Sequence, residues 1–198
     1  MAIHSPDRSG AKEKLDGGNV KGVMLRSHLN LISSLYGDDE LNELLEDLPG
    51  GTGTSLLPIL ASQWYPFATL IEIDRAAINR FGDGEIEWIR RFGSHSAESA
   101  LTSTYKIFRQ DDLHTYFMRS APLNGQFQDF GKVTFNEYGE TAARMIHAEY
   151  PCYSPIYCES ALGYYRKVLE LHGAERGSVS ETTCQTLSDD ACTFDLHW

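Results

Sequence analysis

The sequence predicts an α+β fold: a helical N-terminal half packed on a C-terminal antiparallel sheet of about four strands, with one crossing helix. Three observations carry that reading. From Val20 to Ala121 apolar residues recur mostly at spacings of three and four. After Pro122 the pattern changes to short strand-like runs with turn residues between them. Between two such strand pairs, Ser154-Pro155 supplies an N-cap and a proline at the first helical position, a strong helix start.

Residues 1–19 are polar, rich in Gly, Ser, Lys and Asp, and without periodicity, and read as a flexible tail ahead of a single domain spanning 20–198. Leu25, Leu29, Ile32 and Tyr36 define the first helix, which Gly37 ends. Asp38 caps a second helix with Leu41, Leu44, Leu45 and Leu48 inward and Pro49 closing it. The stretch from Gly50 to Ser55 reads as a loop; it lacks the lysine and spacing of a phosphate-binding loop. Helices follow at about 67–81, 83–92, 96–108 and 112–121, with Gly82, Gly93 and Pro122 as the breaks. Residues 132–138 and 141–150 form a hairpin around Gly139-Glu140. The Ser154-capped helix runs to about His172, with Gly173 as its stop. Residues 179–184 and 192–198 are two further strands, joined by the polar turn Leu187-Ser188-Asp189-Asp190.

Composition narrows the function. Apolar residues make up 41% of the 198 and aromatics 11%, enough for a packed core without disulfide staples. Lys and Arg number 17 against 28 Asp and Glu, a formal net charge of −11, and no basic cluster occurs, so neither nucleic acid nor an anionic membrane is an expected partner. No apolar run approaches the ~18 residues a bilayer span needs. The first twenty residues lack a signal peptide's apolar stretch, so a cytoplasmic location is expected. Neither a Gly-x-Ser-x-Gly elbow nor His-Glu-x-x-His occurs, and the acidic pairs Asp38-Asp39 and Asp189-Asp190 suit a cap and a turn, so no enzymatic activity is expected.

All four cysteines lie in the last third. Cys158 sits in the first turn of the capped helix, Cys184 ends one predicted strand, and Cys192 begins the next eight positions later. Glu181 stands three residues before Cys184. Three thiolates and a carboxylate satisfy tetrahedral zinc and leave no position for water. Spacing alone does not separate this from ordinary buried cysteines, since no Cys-x-x-Cys pair is present. A regular strand also points Glu181 and Cys184 to opposite faces, so a shared ion requires a bulge or strand end, for example at Thr182-Thr183.

The segment 154–198 resembles the 4-vinyl-reductase-type ligand-binding domain, also found as the sensory domain of aromatic-responsive bacterial activators. Cys158, Gly163-Tyr164, Glu181-x-x-Cys184, Cys192 and Thr193-Phe194 carry the resemblance. It implies a structural zinc held by Cys158, Glu181, Cys184 and Cys192, while Cys152 matches no ligand. Lys21-Gly22 with the helix ending at Tyr36-Gly37 is similar to the start of haem–NO-binding domains, remote relatives in the same superfamily. Trp64-Tyr65-Pro66 and the terminal Asp195-Leu196-His197-Trp198 resemble a myxobacterial paralogous family of about two hundred residues without an assigned function. Three departures stand out. The Tyr-x-Ser-x-Arg haem-propionate motif is absent, Ser188 replaces a glycine usual in the zinc-bearing hairpin, and no His/Trp phenol-holding pair is placed, so phenol itself is not implied.

The resemblance implies an apolar small-molecule pocket between helices and sheet. Trp64, Phe67, Trp88, Tyr105, Phe108, Tyr116 and Phe117 are the candidate linings, although an aromatic stripe at helical spacing is more often core. The leading expectation is a non-enzymatic, zinc-containing sensory domain for an apolar or aromatic molecule, signalling through a protein partner or a homodimer. The alternative is an interaction or dimerisation scaffold with structural zinc, as in the superfamily's vesicle-tethering subunits. A haem-based gas sensor is the third: His28, His95, His114, His147 and His172 each stand singly on a predicted element, and none has the propionate clamp beside it.

Overall fold

Both expected halves are present, joined by an N-terminal segment that packs against each of them. The computed structural model describes residues 2–49, 57–103, 106–108 and 112–198, so the loop from Gly50 to Ser55 and Tyr105 lie outside the described residues. In chain order the elements begin with β1 (Ile3–His4), β2 (Asn19–Lys21), α1 (Gly22–Tyr36) and α2 (Asp38–Glu46). Next come β3 (Trp64–Pro66), α3 (Phe67–Phe81), α4 (Arg90–Thr102) and α5 (Leu113–Ser120). The C-terminal half holds β4 (Lys132–Gly139), β5 (Ala142–Ala148), α6 (Pro155–Leu171), β6 (Ser178–Thr183) and β7 (Ala191–His197). Among the described residues no helix is long and apolar enough to cross a membrane.

The sheet has five strands in the order β1-β6-β7-β5-β4, one more than the pattern suggested. The addition is β1, which pairs parallel to β6 through Ile3 and His4. A two-residue strand has no periodicity to read, which is why this segment resembled a tail. Past β1 the chain stays attached: Lys12 N donates to Thr186 O at 2.8 Å, and Lys14 bridges Tyr153. A separate two-stranded ribbon pairs β2 with β3.

Gly93 is not a break. A 3₁₀ turn at Ile86–Ile89 runs into α4, which passes straight through Gly93. A Cβ on Gly93 would meet the Ser160 carbonyl oxygen at 1.8 Å, and one on Gly163 the Arg90 carbonyl oxygen at 2.0 Å. The two glycines let the backbones of α4 and α6 touch. Sequence signals for a stop and for a close helix crossing are the same residue. One apolar cluster then fills the space among α1, α2 and α3, and a second lies between α6, α5 and the sheet.

Candidate metal centre and ligand cavity

Each candidate ligand is delivered by a local feature the sequence encodes. Ser154 caps α6 by accepting from the Ile156 amide at 3.3 Å, with Pro155 at the first helical position, and this fixes Cys158 in the first turn. On β6 the register against β7 slips between Glu181 and Thr183. That bulge turns Glu181 toward the same side as Cys184, as the shared-ion geometry required. A 3₁₀ turn at Gln185–Leu187 then brings β7 back so that Cys192 faces Cys184.

The sulfurs of Cys158 and Cys184 lie 3.7 Å apart, those of Cys158 and Cys192 3.7 Å, and those of Cys184 and Cys192 3.9 Å. These are not disulfides. A tetrahedral ion with metal–sulfur bonds of about 2.3 Å needs sulfur–sulfur edges of about 3.8 Å. One ligand atom from each of Cys158, Glu181, Cys184 and Cys192 falls within 4.8 Å of all the others, and all four residues are buried. Glu181 Oε2 accepts from Arg8 Nη2 at 2.6 Å, whereas Oε1 is buried without a hydrogen-bond partner. An orphaned carboxylate oxygen beside three sulfurs at tetrahedral spacing fits a thiolate-rich cation site. Cys152 takes no part; burial pushes its thiol up to about 11.

Around the cluster lies a shell of donors invisible in the sequence. Arg8 gives Nε to Glu159 Oε1 at 2.7 Å and Nη1 to Cys184 Sγ at 3.4 Å, besides its bond to Glu181. Arg90 holds the other oxygen of the fully buried Glu159 at 2.7 Å. The Gln185 amide donates to Cys192 Sγ at 3.3 Å, and Thr186 Oγ1 lies 2.9 Å from Cys184 Sγ. Hydrogen bonds from Cys158 and Cys192 hold the Cys184 thiol below its usual range. Burial pushes the Glu181 carboxyl up to about 8 against the pull of Arg8. Arg8 is 151 positions from Glu159, and no local pattern announces that contact.

Ser188 closes the turn at φ +80°, in the left-handed region that glycine adopts freely. Ser188→Gly should therefore raise stability by roughly 0.5 kcal/mol, the relief at Ser188 exceeding glycine's added unfolded-state entropy. Chemical denaturation of the two proteins checks it.

A cavity of about 200 Å³ lies on the other side of α6, bounded by α1, α4, α5 and the sheet. Of the aromatic residues expected there, Phe117 lines it. Phe67, Phe108 and Tyr116 are buried in the two cores, Trp88 stacks in the first, and Trp64 is exposed beneath Lys21. Most of the described aromatic candidates thus belong to the cores, the commoner outcome. The lining instead combines Phe117, Phe127, Val133 and Met145 with Ser27, Ser96 and His28, and among the described residues it contains no Asp, Glu, Lys or Arg. His147 also lines it, bonded to the Tyr165 hydroxyl at 2.6 Å, and burial pushes its imidazole down to about 4.

No family model and no curated protein matches the chain. Solved structures do. An H-NOX protein from S. oneidensis in the Fe(II)NO ligation state aligns with a TM-score of 0.70 at 15% identity, over 89% of this chain and 98% of that one. The chain has the H-NOX fold. The NMR structure of an H-NOX domain from Shewanella oneidensis in the Fe(II)CO state gives 0.69 at 16% identity, over 89% and 97%. A Cs H-NOX mutant gives 0.68 at 14%, over 89% and 95%. The likeness in fold thus covers nearly the whole length of those H-NOX structures, not the Lys21-Gly22 to Tyr36-Gly37 segment alone.

Proposed function

We propose that the chain is a non-enzymatic sensory domain: a structural zinc held by Cys158, Glu181, Cys184 and Cys192 anchors a receptor for a small apolar or aromatic molecule. The observation that carries it is the triangle of sulfurs at tetrahedral spacing with the unpartnered Glu181 Oε1 beside it. With four protein ligands such an ion has no open position for water, so its contribution is to the fold rather than to a reaction. It pins the start of α6 to the β6–β7 hairpin. The same helix supplies Tyr157, Ser160, Ala161, Tyr164 and Tyr165 to the cavity wall, which couples the centre to the ligand space. The resemblance to the 4-vinyl-reductase-type domain points the same way, and a signal would leave through a protein partner or a second copy of the chain.

Elemental analysis of the purified protein should give about one zinc per chain, and native mass spectrometry a co-purifying small molecule. A folded, metal-free protein would remove the reading. A zinc-loaded dimer with nothing in the cavity would favour the scaffold alternative.

Arg8 is expected to govern how tightly the ion is kept. Four anionic ligands exceed a divalent charge by two, and among the described residues Arg8 is the cation bonded directly to the cluster. Arg8→Gln leaves Glu159 and Glu181 each short of a donor, a loss of roughly 3 kcal/mol at buried charges. Zinc should pass to a chromophoric chelator at least tenfold faster from the variant than from the parent protein.

The similar structures favour a second reading, a haem-based gas sensor, because they are H-NOX proteins in Fe(II)NO and Fe(II)CO ligation states. The cavity does not suit that group as it stands. It measures about 200 Å³, small beside the roughly 300–1,000 Å³ of pockets for drug-sized ligands, and among the described residues its lining offers no Lys or Arg to meet the propionates. Haem reconstitution decides it: a Soret band would restore the gas-sensor reading, and its absence would leave the zinc-anchored receptor.

A further inference from the structure

We infer that the cavity takes an uncharged alcohol with a hydrocarbon body about the size of one ring, and that the Ser27–Ser96 pair holds its hydroxyl; the inference rests on the cavity being the ligand site. The size follows from the volume of about 200 Å³, since an apolar cavity of roughly 150 Å³ already admits benzene. The charge follows from the wall, which among the described residues carries no Asp, Glu, Lys or Arg to meet a buried ion. His28, on the same helix as Ser27, is engaged with Asp74 of α3, its Nδ1 2.6 Å from the carboxylate Oδ1.

The place of the hydroxyl follows from how the wall's own hydroxyls are engaged. Val23 and Ser27 lie on the cavity face of α1, and Gly93, Ser96 and Ser103 on that of α4, at the three- and four-residue spacings and their multiples that mark one side of a helix. Ser27 Oγ and Ser96 Oγ are 3.1 Å apart and join the two helices. One serine gives its hydrogen to the other, and whichever gives, the other keeps its own. Among the described residues neither serine bonds a main-chain carbonyl. In both arrangements the pair therefore has one hydrogen to give and lone pairs to receive. Three other wall hydroxyls are already committed: Ser103 gives to Ser99 O at 2.6 Å, Tyr157 gives to Gln128 Oε1 at 2.6 Å, and Tyr164 meets the Tyr116 hydroxyl at 3.1 Å. An alcohol both accepts and donates, so it answers the serine pair in full, and a hydrocarbon answers neither demand. Phe117, Val133 and Met145, from α5 and the sheet, give its hydrocarbon body an apolar surface.

Benzyl alcohol, toluene and benzylamine, the last a cation near neutral pH, test this when titrated into the intact protein by calorimetry. On the parent protein benzyl alcohol should bind within about tenfold of toluene; a wider gap would mean that the buried hydroxyl has found no partner. Benzylamine should bind more weakly than benzyl alcohol. The variant is Ser27→Ala with Ser96→Ala, and alanine is the better helix former at both positions. Benzyl alcohol should lose roughly fivefold in the variant while toluene changes by less than about twofold, which also shows that the cavity survives. Equal changes for alcohol and hydrocarbon, the wider gap on the parent protein, or preferred binding of benzylamine would each overturn the inference and leave the cavity reading intact. The methionine methyls report the location: nuclear Overhauser contacts from bound benzyl alcohol should reach Met24 and Met145 on the wall, not the exposed Met118. Contacts to Met118 alone, or failure of all three probes to bind at millimolar concentration, would instead strike the cavity reading itself.

Discussion

Cys184→Ser should abolish zinc retention and lower stability by about 4 kcal/mol, or ~10 °C in thermal midpoint for a chain of this length. The Cys184 sulfur is the point where the cluster's contacts meet. It lies 3.7 and 3.9 Å from the other two sulfurs, receives Arg8 at 3.4 Å, and has the Thr186 hydroxyl at 2.9 Å. A serine oxygen is shorter, harder and not ionised near neutral pH, so it supplies neither the reach nor the charge. The remaining ligands would then be buried around no metal ion, with Glu181 Oε1 still unpartnered. Cys152→Ser is the matched control, because Cys152 is equally buried but outside the cluster. Zinc content per chain and thermal unfolding of both variants test the claim. Equal zinc in the two would sink it.

The second large effect is expected away from any ligand. Gly93→Ala and Gly163→Ala should each cost at least ~3 kcal/mol, and the pair should be strongly non-additive. The added methyls would meet backbone oxygens at 1.8 and 2.0 Å, and backbone cannot swing aside as a side-chain tip does. Once one methyl has forced α4 and α6 apart, the second finds the gap already open, so its additional cost should be small. Urea denaturation of the two single variants and the double would show this. A helix-favouring gain in stability from either alanine would mean that the two backbones do not touch.

How far the sequence could be read divides along physical lines. Features governed by short-range chemistry were legible: the Ser154-Pro155 start, the stop at Gly37 and the β4–β5 hairpin. The set Cys158, Glu181, Cys184 and Cys192 came from the resemblance rather than from spacing, and the structure brings the four together with the register slip after Glu181 that a shared ion demanded. What escaped depends on contacts between distant segments. β1 is two residues long and exists because β6 offers it an edge. Arg8 carries no motif, yet it closes the cluster. Gly93 had one sequence signal and two possible meanings, and the meaning was set by Gly163, seventy positions away. The aromatic side chains had the same ambiguity: Phe67 and Tyr116 fill cores, and the cavity went to a mixed wall of serines, methionine and phenylalanine. His28 and Asp74 are 46 positions apart on different helices, so neither advertised the other.

The asymmetry of α6 has a mechanical consequence. One end is fastened at Cys158, the midpoint is wedged at Gly163 against α4, and the far end stops near His172 on a short turn. In the proposed receptor, a guest that outgrows the cavity would pivot this helix rather than slide it, with the smallest displacement expected beside the sulfurs and the greatest at Leu171.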